Sequence, residues 1–159
     1  MMTITVRPAK REELERVNEL RKIVNDVHVN GRPDIFRAEF CDELKAHIYE
    51  KFDSQDSDVF AAVTDGMICG FAVVDYVHKP QSLYSNAQSY YNVVEFGVDE
   101  KYRRQGVATK LIEFMKADAA EKGFDRIELD MWEFNEGARL FYESAGFTTY
   151  RRYMELDLK

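Results

Sequence analysis

The sequence predicts a mixed α/β fold, in which helices cover both faces of a mostly antiparallel sheet. Three observations indicate this class. Two helical patterns follow a first short strand, three consecutive strand patterns occupy the middle of the chain, and strands alternate with helices in the last third. Elements in this order pack as a mixed sheet with helices on both sides, so we expect one domain spanning residues 1–159.

Hydrophobic periodicity and turn signals place the individual elements. Leu14, Val17 and Leu20 recur at helical spacing among charged residues, whereas residues 89–98 are mostly apolar, β-branched or aromatic. The dipeptide Asp65-Gly66 predicts a hairpin turn. The patterns predict, in order, a strand at 3–7, a helix at 11–28, a helix from 34 or 38 to 52, strands at 59–63, 67–77 and 89–98, a helix at 107–122, a strand at 126–132, a helix at 135–146 and a strand at 148–158.

The composition is that of a globular protein, with 45% hydrophobic and 13% aromatic residues. Cys41 and Cys69 lack the spacing of a disulfide framework or a metal site, so we expect buried thiols and no metal. The chain has no run of eighteen apolar residues and no signal-peptide pattern. We therefore expect a cytoplasmic protein that does not associate with membranes.

The net charge of −7 at pH 7 argues against a general nucleic-acid binder. Physiological salt screens exposed charges beyond about 8 Å, so a local basic cluster can still bind phosphate on an acidic protein. The acidic remainder of the surface favours a cationic partner such as an amine.

One stretch, between the strand that ends at Val98 and the following helix, predicts a site for a phosphate group. Residues 101–110 carry four basic and no acidic side chains, and Gly106 and Ala108 are small. A helix start presents backbone N–H groups without intrahelical partners, at the positive end of the helix dipole. The glycine patterns of the P-loop and of dinucleotide-binding folds are absent. An ordinary basic turn is the alternative interpretation.

Two motifs in this half of the chain resemble those of a known family. Arg103-x-x-Gly106-x-Ala108 matches the Q/R-x-x-G-x-G/A signature of the GCN5-related N-acetyltransferase (GNAT) superfamily. Residues 135–147 are similar to its helix motif N-x-x-A-x-x-F-Y-x-x-x-G-F. Two motifs in the family's order, about thirty residues apart, are more specific than either motif alone.

The resemblance implies a GNAT fold with acetyl-CoA as co-substrate. The sheet of that fold is splayed at its centre, has about six or seven strands, and holds the pantetheine arm in the gap. The family usually has two strands after the last helix, but only residues 148–158 are available here, so we expect one long strand. The cofactor-binding residues implied are Phe96, Gly97, Val98, Arg103, Arg104, Gln105, Gly106, Val107, Ala108, Thr109, Asn135 and Tyr142.

Acetyl transfer to an amine also needs proton transfers, for which the sequence offers two candidates. In the resemblance, the tyrosine at position 142 bonds the thioester sulfur, so Tyr142 is the expected catalytic acid; a core aromatic is the alternative. Glu95, a charged residue in an apolar strand, is the expected catalytic base; a carboxylate paired with an arginine is the alternative. His28 and His78 are weaker candidates for substrate contact, and His47 is expected in solvent.

The sequence therefore predicts an N-acetyltransferase that moves the acetyl group from acetyl-CoA to a primary amine of a small molecule, by direct attack in a ternary complex. Acetylation of a protein N-terminus or lysine is a variant of this prediction. A non-catalytic acyl-CoA sensor is an alternative from another class. The expected assembly is a monomer or homodimer, and the sequence does not identify the acceptor.

Overall fold

The computed structural model describes residues 2–159, which form five strands and four α-helices. The strands are β1 (Thr5–Pro8), β2 (Ser57–Thr64), β3 (Met67–Lys79), β4 (Gln88–Val98) and β5 (Ile127–Leu129). The helices are α1 (Leu14–Gly31), α2 (Asp42–Asp53), α3 (Val107–Glu121) and α4 (Glu136–Ser144). Short 3-10 turns precede α1, at Arg11–Glu13, and follow β4, at Glu100–Tyr102. None of the helices within residues 2–159 is long and apolar enough to span a membrane.

The five strands form one sheet in the order β1-β2-β3-β4-β5, which confirms the mixed, mostly antiparallel prediction. Each neighbouring pair is antiparallel except β4 and β5, which run parallel and are connected through α3. The sheet has five strands rather than the six or seven expected, because the segment after α4 is not part of it.

Helices cover both faces of the sheet, as predicted, and each face has its own apolar core. Side chains alternate along β2, so Val59 and Ala61 pack with α1 and α2, whereas Phe60 and Ala62 face α3. Consecutive strand residues are therefore both buried. This explains why the central strands are continuous apolar runs rather than alternating patterns.

The centre of the sheet opens at a β-bulge in β4. Val73 pairs with Glu95 and Val74 pairs with Val93, which leaves Val94 as an extra residue without a partner in β3. The parallel pairing of β4 with β5 stops at Val93. Beyond the bulge β4 and β5 separate, so the edge of β4 that faces β5 is free along residues 94–98. The resemblance predicted such a splayed sheet.

Helix boundaries differ from the sequence predictions near the connection between α1 and α2. The first helix continues to Gly31 instead of ending at residue 28, and a Cβ atom at Gly31 would lie 2.3 Å from the ring of Phe134. Glycine therefore lets the end of α1 pack directly against that ring. The second helix begins only at Asp42, since Phe36 instead stacks on His28 with ring centroids 5.1 Å apart.

The prediction of a strand at 148–158 is wrong for the single chain. These residues have no regular secondary structure and are exposed. None of their backbone groups is hydrogen-bonded to another backbone group in the part of the chain that is described. A strand needs a neighbouring strand for its backbone hydrogen bonds, and the alternation of side chains alone cannot supply one. The predicted strand at 126–132 is likewise reduced to the three residues of β5, since β4 turns away at its bulge.

Candidate functional site

The turn between β4 and α3 is built to leave backbone donors free. Asp99 stabilises its start by accepting a hydrogen bond from the backbone N–H of Lys101 at 3.0 Å and by pairing with Arg16. Arg104 and Gly106 both adopt left-handed backbone conformations, with φ of 60° and 86°. For Arg104 this conformation is unusual, because side chains with a Cβ atom disfavour it. The turn is therefore a specifically shaped loop rather than an ordinary connection.

Six consecutive backbone N–H groups, those of residues 104–109, donate no hydrogen bond to any described residue. The first bond of α3 is donated by Lys110 to the carbonyl of Gly106, at 3.0 Å. A Cβ atom added at Gly106 would have no other atom within 4 Å, so the space above this backbone is open. Free N–H groups at the positive end of a helix dipole form a site for an anion.

This geometry brings together the cofactor-binding residues that were predicted in the turn. The side chains of Arg103, Arg104 and Gln105 are exposed around the free N–H groups, whereas Val107 is buried and anchors α3 in the core. Ala108 is partly buried and Thr109 is exposed in the first turn of α3. The turn therefore combines a backbone cradle with two arginine side chains at its rim.

The free edge of β4 continues from this turn into the molecule. The N–H of Tyr91 points to β5, where it donates to the carbonyl of Arg126, whereas the N–H of Asp99 points to β3. The bulge at Val94 causes this change of side. The N–H and C=O groups of successive residues in a strand point to opposite edges. Those of Phe96 and Val98 therefore point to the open edge of β4, where they are available to an extended ligand.

Gly97 has a different role in this stretch, because its backbone groups face β3. A Cβ atom at this position would lie 2.7 Å from the side chain of Val24 and 2.9 Å from Phe71. The glycine thus allows α1 to approach the sheet closely. This approach places one face of α1 opposite the open edge of β4.

Two adjoining cavities of about 150 Å³ each lie between α1, the open edge of β4 and the start of α4. Both contact Val24, His28, Phe96 and Asn135, so they form one continuous cleft. The cavity nearer the turn includes Arg103 in its wall. The other, which we call the acceptor cavity, lies between α1, the loop before α2, β4, the end of β5 and α4.

Tyr142 lies in the wall of the acceptor cavity, among the rings of Phe96, Phe141 and Phe147. Its hydroxyl group makes no hydrogen bond to any residue in the described range 2–159. Burial raises the pKa of Tyr142 to about 12, since the phenolate would be poorly solvated here. The ring of Tyr142 packs among other aromatic rings, as the alternative interpretation of a core aromatic residue requires. Its hydroxyl group can also donate a proton into the cavity.

Asn135 joins the two cavities at the start of α4. Its side-chain oxygen accepts a hydrogen bond from the backbone N–H of Ala138 at 3.2 Å, so it is the predicted N-cap of this helix. Because that bond uses the oxygen, the side-chain NH₂ group is available to a ligand. Asn135 and Tyr142 contact the same cavity, as two residues seven positions apart in a helix should.

Glu95 faces the acceptor cavity. It also pairs with an arginine, which was the alternative interpretation of this residue. Arg21 Nε donates to Glu95 Oε2 at 2.9 Å, and the Arg21 side chain is only 1% exposed. Arg21 is itself fixed by bonds to Asn18 Oδ1 at 2.8 Å and to the carbonyl of Leu44 at 2.6 Å. The second carboxylate oxygen of Glu95 has no partner among the residues described. Glu95 is therefore held rigidly with one oxygen free.

Aromatic and acidic groups surround the rest of the acceptor cavity. His28 stacks on Phe36, and Phe36 packs edge-on against Trp132 with ring centroids 5.1 Å apart. Burial lowers the pKa of His28, although the charges of Asp130 and Glu95 act in the opposite direction. The neutral form of His28, which can accept a proton or a hydrogen bond, is therefore favoured at pH 7.

Sequence reasoning missed three charged or amide side chains of this cavity, Arg21, Asn25 and Asp130, and the aromatic rings of Phe40 and Trp132. The side-chain nitrogen of Asn25 is buried without a hydrogen-bond partner in the described chain. The sequence contained a signal for Arg21 and Asn25. Asn18, Arg21, Asn25 and His28 recur three and four residues apart, which places a polar line along one face of α1.

The other candidate side chains lie away from this cleft. His78 contacts Ser89 and stacks on Phe124, outside both cavities, so it is not brought to the site. His47 is exposed beside Glu50, as expected. Cys69 is buried, whereas Cys41 is only partly buried. Burial raises the pKa of the Cys69 thiol.

Comparison with known proteins identifies the family. The family model described as "Acetyltransferase (GNAT) family" matches residues 17–147, which include the cradle, the open edge of β4 and the motif of α4. The chain belongs to the GNAT family. A search of curated proteins finds no match.

Several solved structures share this fold. A mutant of the BH1408 protein from Bacillus halodurans has a TM-score of 0.92 and 27% identity, over 98% of this chain and 99% of that one. The aminoglycoside N-acetyltransferase AAC(6')-Iy in complex with a bisubstrate analogue has a TM-score of 0.78 and 20% identity, over 99% of each chain. The same acetyltransferase in complex with CoA has a TM-score of 0.77 and 22% identity, over 99% of this chain and 95% of that one. These likenesses extend along the whole GNAT domain.

Proposed function

We propose that this GNAT protein transfers the acetyl group of acetyl-CoA to a primary amine of a small molecule, by direct attack in a ternary complex. The observation that carries the proposal is the continuity of the cleft. Free N–H groups at residues 104–109, the open edge of β4 and an acidic, aromatic cavity follow one another without interruption. A pyrophosphate, an amide-bearing arm and an amine match these three parts in that order.

The residues at hand fit the co-substrate. The backbone of residues 104–109 would hold the pyrophosphate, with Arg103 and Arg104 adding charge-assisted hydrogen bonds at the rim. Phe96 and Val98 would bond the amides of the pantetheine arm through their backbone, as an added strand does. The thioester supplies an activated acetyl group at the far end of that arm, where Asn135 and Tyr142 meet the acceptor cavity.

The acceptor cavity suits an amine that arrives as a cation. Glu95 and Asp130 supply negative charge, and Phe40 and Trp132 supply aromatic faces, which attract ammonium groups. An alkyl ammonium with a pKa near 10.4 must lose a proton before attack, at a cost of about 4–5 kcal/mol at pH 7. Neutral His28 and the free oxygen of Glu95 are the groups that can take this proton.

The transfer balances when two protons leave the substrate nitrogen, one proton joins the sulfur and one is released to solvent. The amine nitrogen forms a bond to the carbonyl carbon, the carbon–sulfur bond breaks, and the thiolate leaves. The ammonium first loses one proton to neutral His28, which passes it to solvent, and the attacking nitrogen then gives its second proton to Glu95, directly or through a water molecule. Tyr142 gives its hydroxyl proton to the sulfur and regains a proton from Glu95 through water, which restores both groups. With its pKa near 12, Tyr142 is fully protonated at neutral pH. Arg21 is a positioning residue, since it acts on the reaction only through Glu95.

Direct attack, rather than an acetylated enzyme, is favoured by the position of the thiols. Cys69 lies in the core beneath the cradle side of the sheet, with a raised pKa, and does not contact either cavity. A nucleophilic cysteine needs a lowered pKa and access to substrate. Neither cavity has a cysteine in its wall.

The experiment is a panel of amines incubated with acetyl-CoA, following the release of free CoA thiol and the mass of the acetylated product. Amino sugars belong in the panel, since neighbours of this fold are aminoglycoside acetyltransferases. Peptides with a free N-terminus or lysine test the protein-acetylation variant. Binding of acetyl-CoA without thiol release for any acceptor would support the sensor instead. A Glu95→Gln variant should lose turnover and retain acetyl-CoA affinity, whereas exposed Glu121→Gln serves as the control.

A further inference from the structure

Asp99 lies at the entrance to the cradle of free N–H groups, which is an unfavourable place for an acidic side chain. It directly follows β4, and only the short 3-10 turn Glu100–Tyr102 and Arg103 separate it from the free N–H groups of residues 104–109. Its side chain is only 12% exposed. A carboxylate near a phosphate site repels the ligand, and salt screens a buried charge less than an exposed one.

The shape of the turn explains why an oxygen acceptor is needed at this position. Asp99 Oδ1 accepts from the N–H of Lys101 at 3.0 Å, and the carbonyl of Asp99 accepts from the N–H of Tyr102 at 2.8 Å. The N–H of Asp99 donates to the carbonyl of Cys69 at 2.8 Å, which anchors the turn to β3. The side chain contributes one acceptor oxygen to this arrangement, and an asparagine amide could contribute the same oxygen without a charge.

Asp99 nevertheless carries its negative charge at neutral pH. Burial alone would raise the pKa of Asp99, but the hydrogen bond from Lys101 and the ion pair with Arg16 outweigh burial and hold that pKa below its usual range. The phosphate cradle therefore begins beside a mostly buried anion. Without a compensating positive charge, this anion would oppose the binding of any phosphate ligand.

Arg16, on α1, supplies the compensating charge from 83 positions earlier in the chain. Its Nη2 group donates to Asp99 Oδ2 and also to the carbonyl of Ile68, at 3.3 Å. Its Nη1 group pairs with Glu19 at 2.7 Å, but the Glu19 side chain is 66% exposed, so water screens that charge. Asp99 is the more buried of the two acids, so its charge is the one that Arg16 mainly offsets.

We propose that Arg16 sets the affinity of the cradle for acetyl-CoA by neutralising Asp99. This inference rests on the proposed function, because it takes the pyrophosphate of acetyl-CoA as the anion in the cradle. Arg16 lies in the wall of neither cavity, so it acts through Asp99 and is a positioning residue. Two arginines of α1 thus pair with two acids of the site: Arg21 orients Glu95, and Arg16 offsets the charge of Asp99.

The test is a double-mutant cycle in which calorimetry measures the affinity for acetyl-CoA. Arg16→Gln leaves the carboxylate uncompensated and should weaken binding about tenfold, the order expected for one unit charge roughly 10 Å from a pyrophosphate. Asp99→Asn keeps the acceptor oxygen, leaves Arg16 as a free positive charge, and should bind acetyl-CoA more tightly than the wild type. The double variant lacks both charges and should return to within about threefold of the wild-type affinity.

Thermal melting of the same variants separates this role from a merely structural one. All three variants lack the ion pair between Arg16 and Asp99, so none should melt above the wild type, and the double variant should not regain stability. Recovery of affinity without recovery of stability supports the proposal. A double variant that binds acetyl-CoA as weakly as Arg16→Gln does would overturn it. Arg16→Lys keeps the positive charge and should keep most of the affinity.

Arg11→Gln is the matched control, because Arg11 pairs with Asp53 at 2.6 Å on the side of α2 and should leave the affinity unchanged. If Arg16→Gln does not fold, Asp99→Asn decides: tighter binding than the wild type supports the proposal, and equal or weaker binding overturns it. A wild type that does not bind acetyl-CoA would contradict the proposed function and this inference with it. A wild type that binds acetyl-CoA with the same affinity as all the variants would contradict this inference alone.

Discussion

Replacing Tyr142 with phenylalanine separates a catalytic tyrosine from a structural one. The change removes one hydroxyl group and leaves the ring among Phe96, Phe141 and Phe147. General acid catalysis typically contributes 10²–10⁴-fold, or about 3–5 kcal/mol of transition-state stabilisation. We therefore expect turnover to fall by at least about a hundredfold, with little change in acetyl-CoA affinity.

The expected effect on folding is small, because the hydroxyl of Tyr142 has no protein partner to leave unpaired. Removing a polar group that bonds nothing in the fold is close to neutral for the free energy of unfolding. The melting temperature should therefore change by less than about 2 °C, given that 1 kcal/mol corresponds to about 2–4 °C for a chain of this size.

Tyr91 provides the matched control. Its ring is fully buried, and its hydroxyl donates to Asp118 Oδ2 at 2.8 Å, outside both cavities. Tyr91→Phe leaves that carboxylate without this donor, which should cost about 1–3 kcal/mol of stability and lower the melting temperature by several degrees. Its turnover should remain near that of the wild type. Tyr142→Phe should therefore lose turnover and keep its melting temperature, whereas Tyr91→Phe should keep its turnover and melt earlier.

The assay is pre-steady-state acetyl transfer measured beside thermal melting, since slow product release can hide a slower chemical step. A Tyr142→Phe variant that transfers acetyl at the wild-type rate in this assay would refute the role of Tyr142 as the acid. A variant that melts early and keeps its rate would show a structural tyrosine.

Three further predictions concern the cradle and the acceptor cavity. Gly106→Glu should abolish acetyl-CoA binding in calorimetry, whereas Gly123→Glu, at an equally left-handed and open position, should bind normally; equal affinity would refute the cradle. Replacing Arg103 and Arg104 together by alanine should weaken binding modestly and reduce its salt dependence; an unchanged salt dependence would remove both from the phosphate contact. Because burial lowers the pKa of His28, the unfolded chain binds a proton there more readily than the folded chain does. The free energy of unfolding should therefore fall as the pH drops from 7 through about 6.5, the pKa of a free histidine. A urea-unfolding series should show a flatter dependence for His28→Asn; an identical slope would show that His28 does not stay neutral.

Local patterns predicted the parts of the site that depend on nearby residues. The cradle depends on one turn and one helix start, so Gly106 and the basic residues beside it were visible in the sequence. The N-cap at Asn135 and its seven-residue distance from Tyr142 follow from helix geometry alone. The hairpin at Asp65-Gly66 forms because the turn determines its own conformation, with positive φ at both residues.

Features that depend on contacts between distant elements could not be predicted in this way. The partner of Glu95 is Arg21, 74 positions earlier, and only the approach of α1 to β4 brings them together. The bulge at Val94 that frees the edge of β4 has no local glycine or proline signal. Residues 148–158 have the composition of a strand, but a strand also needs backbone hydrogen bonds to a neighbouring strand, and these residues make none within the described chain.

The most direct test of the proposed reaction is a rapid-quench measurement with enzyme and acetyl-CoA, first without and then with an amine that the panel identifies. Direct attack predicts no thiol release without the amine, and equal amounts of free CoA and acetylated amine with it. A burst of thiol equal to the enzyme concentration in the absence of amine would show an acetylated enzyme and contradict the ternary complex. Acetyl-CoA that binds tightly yet yields no thiol with any amine would contradict catalysis altogether.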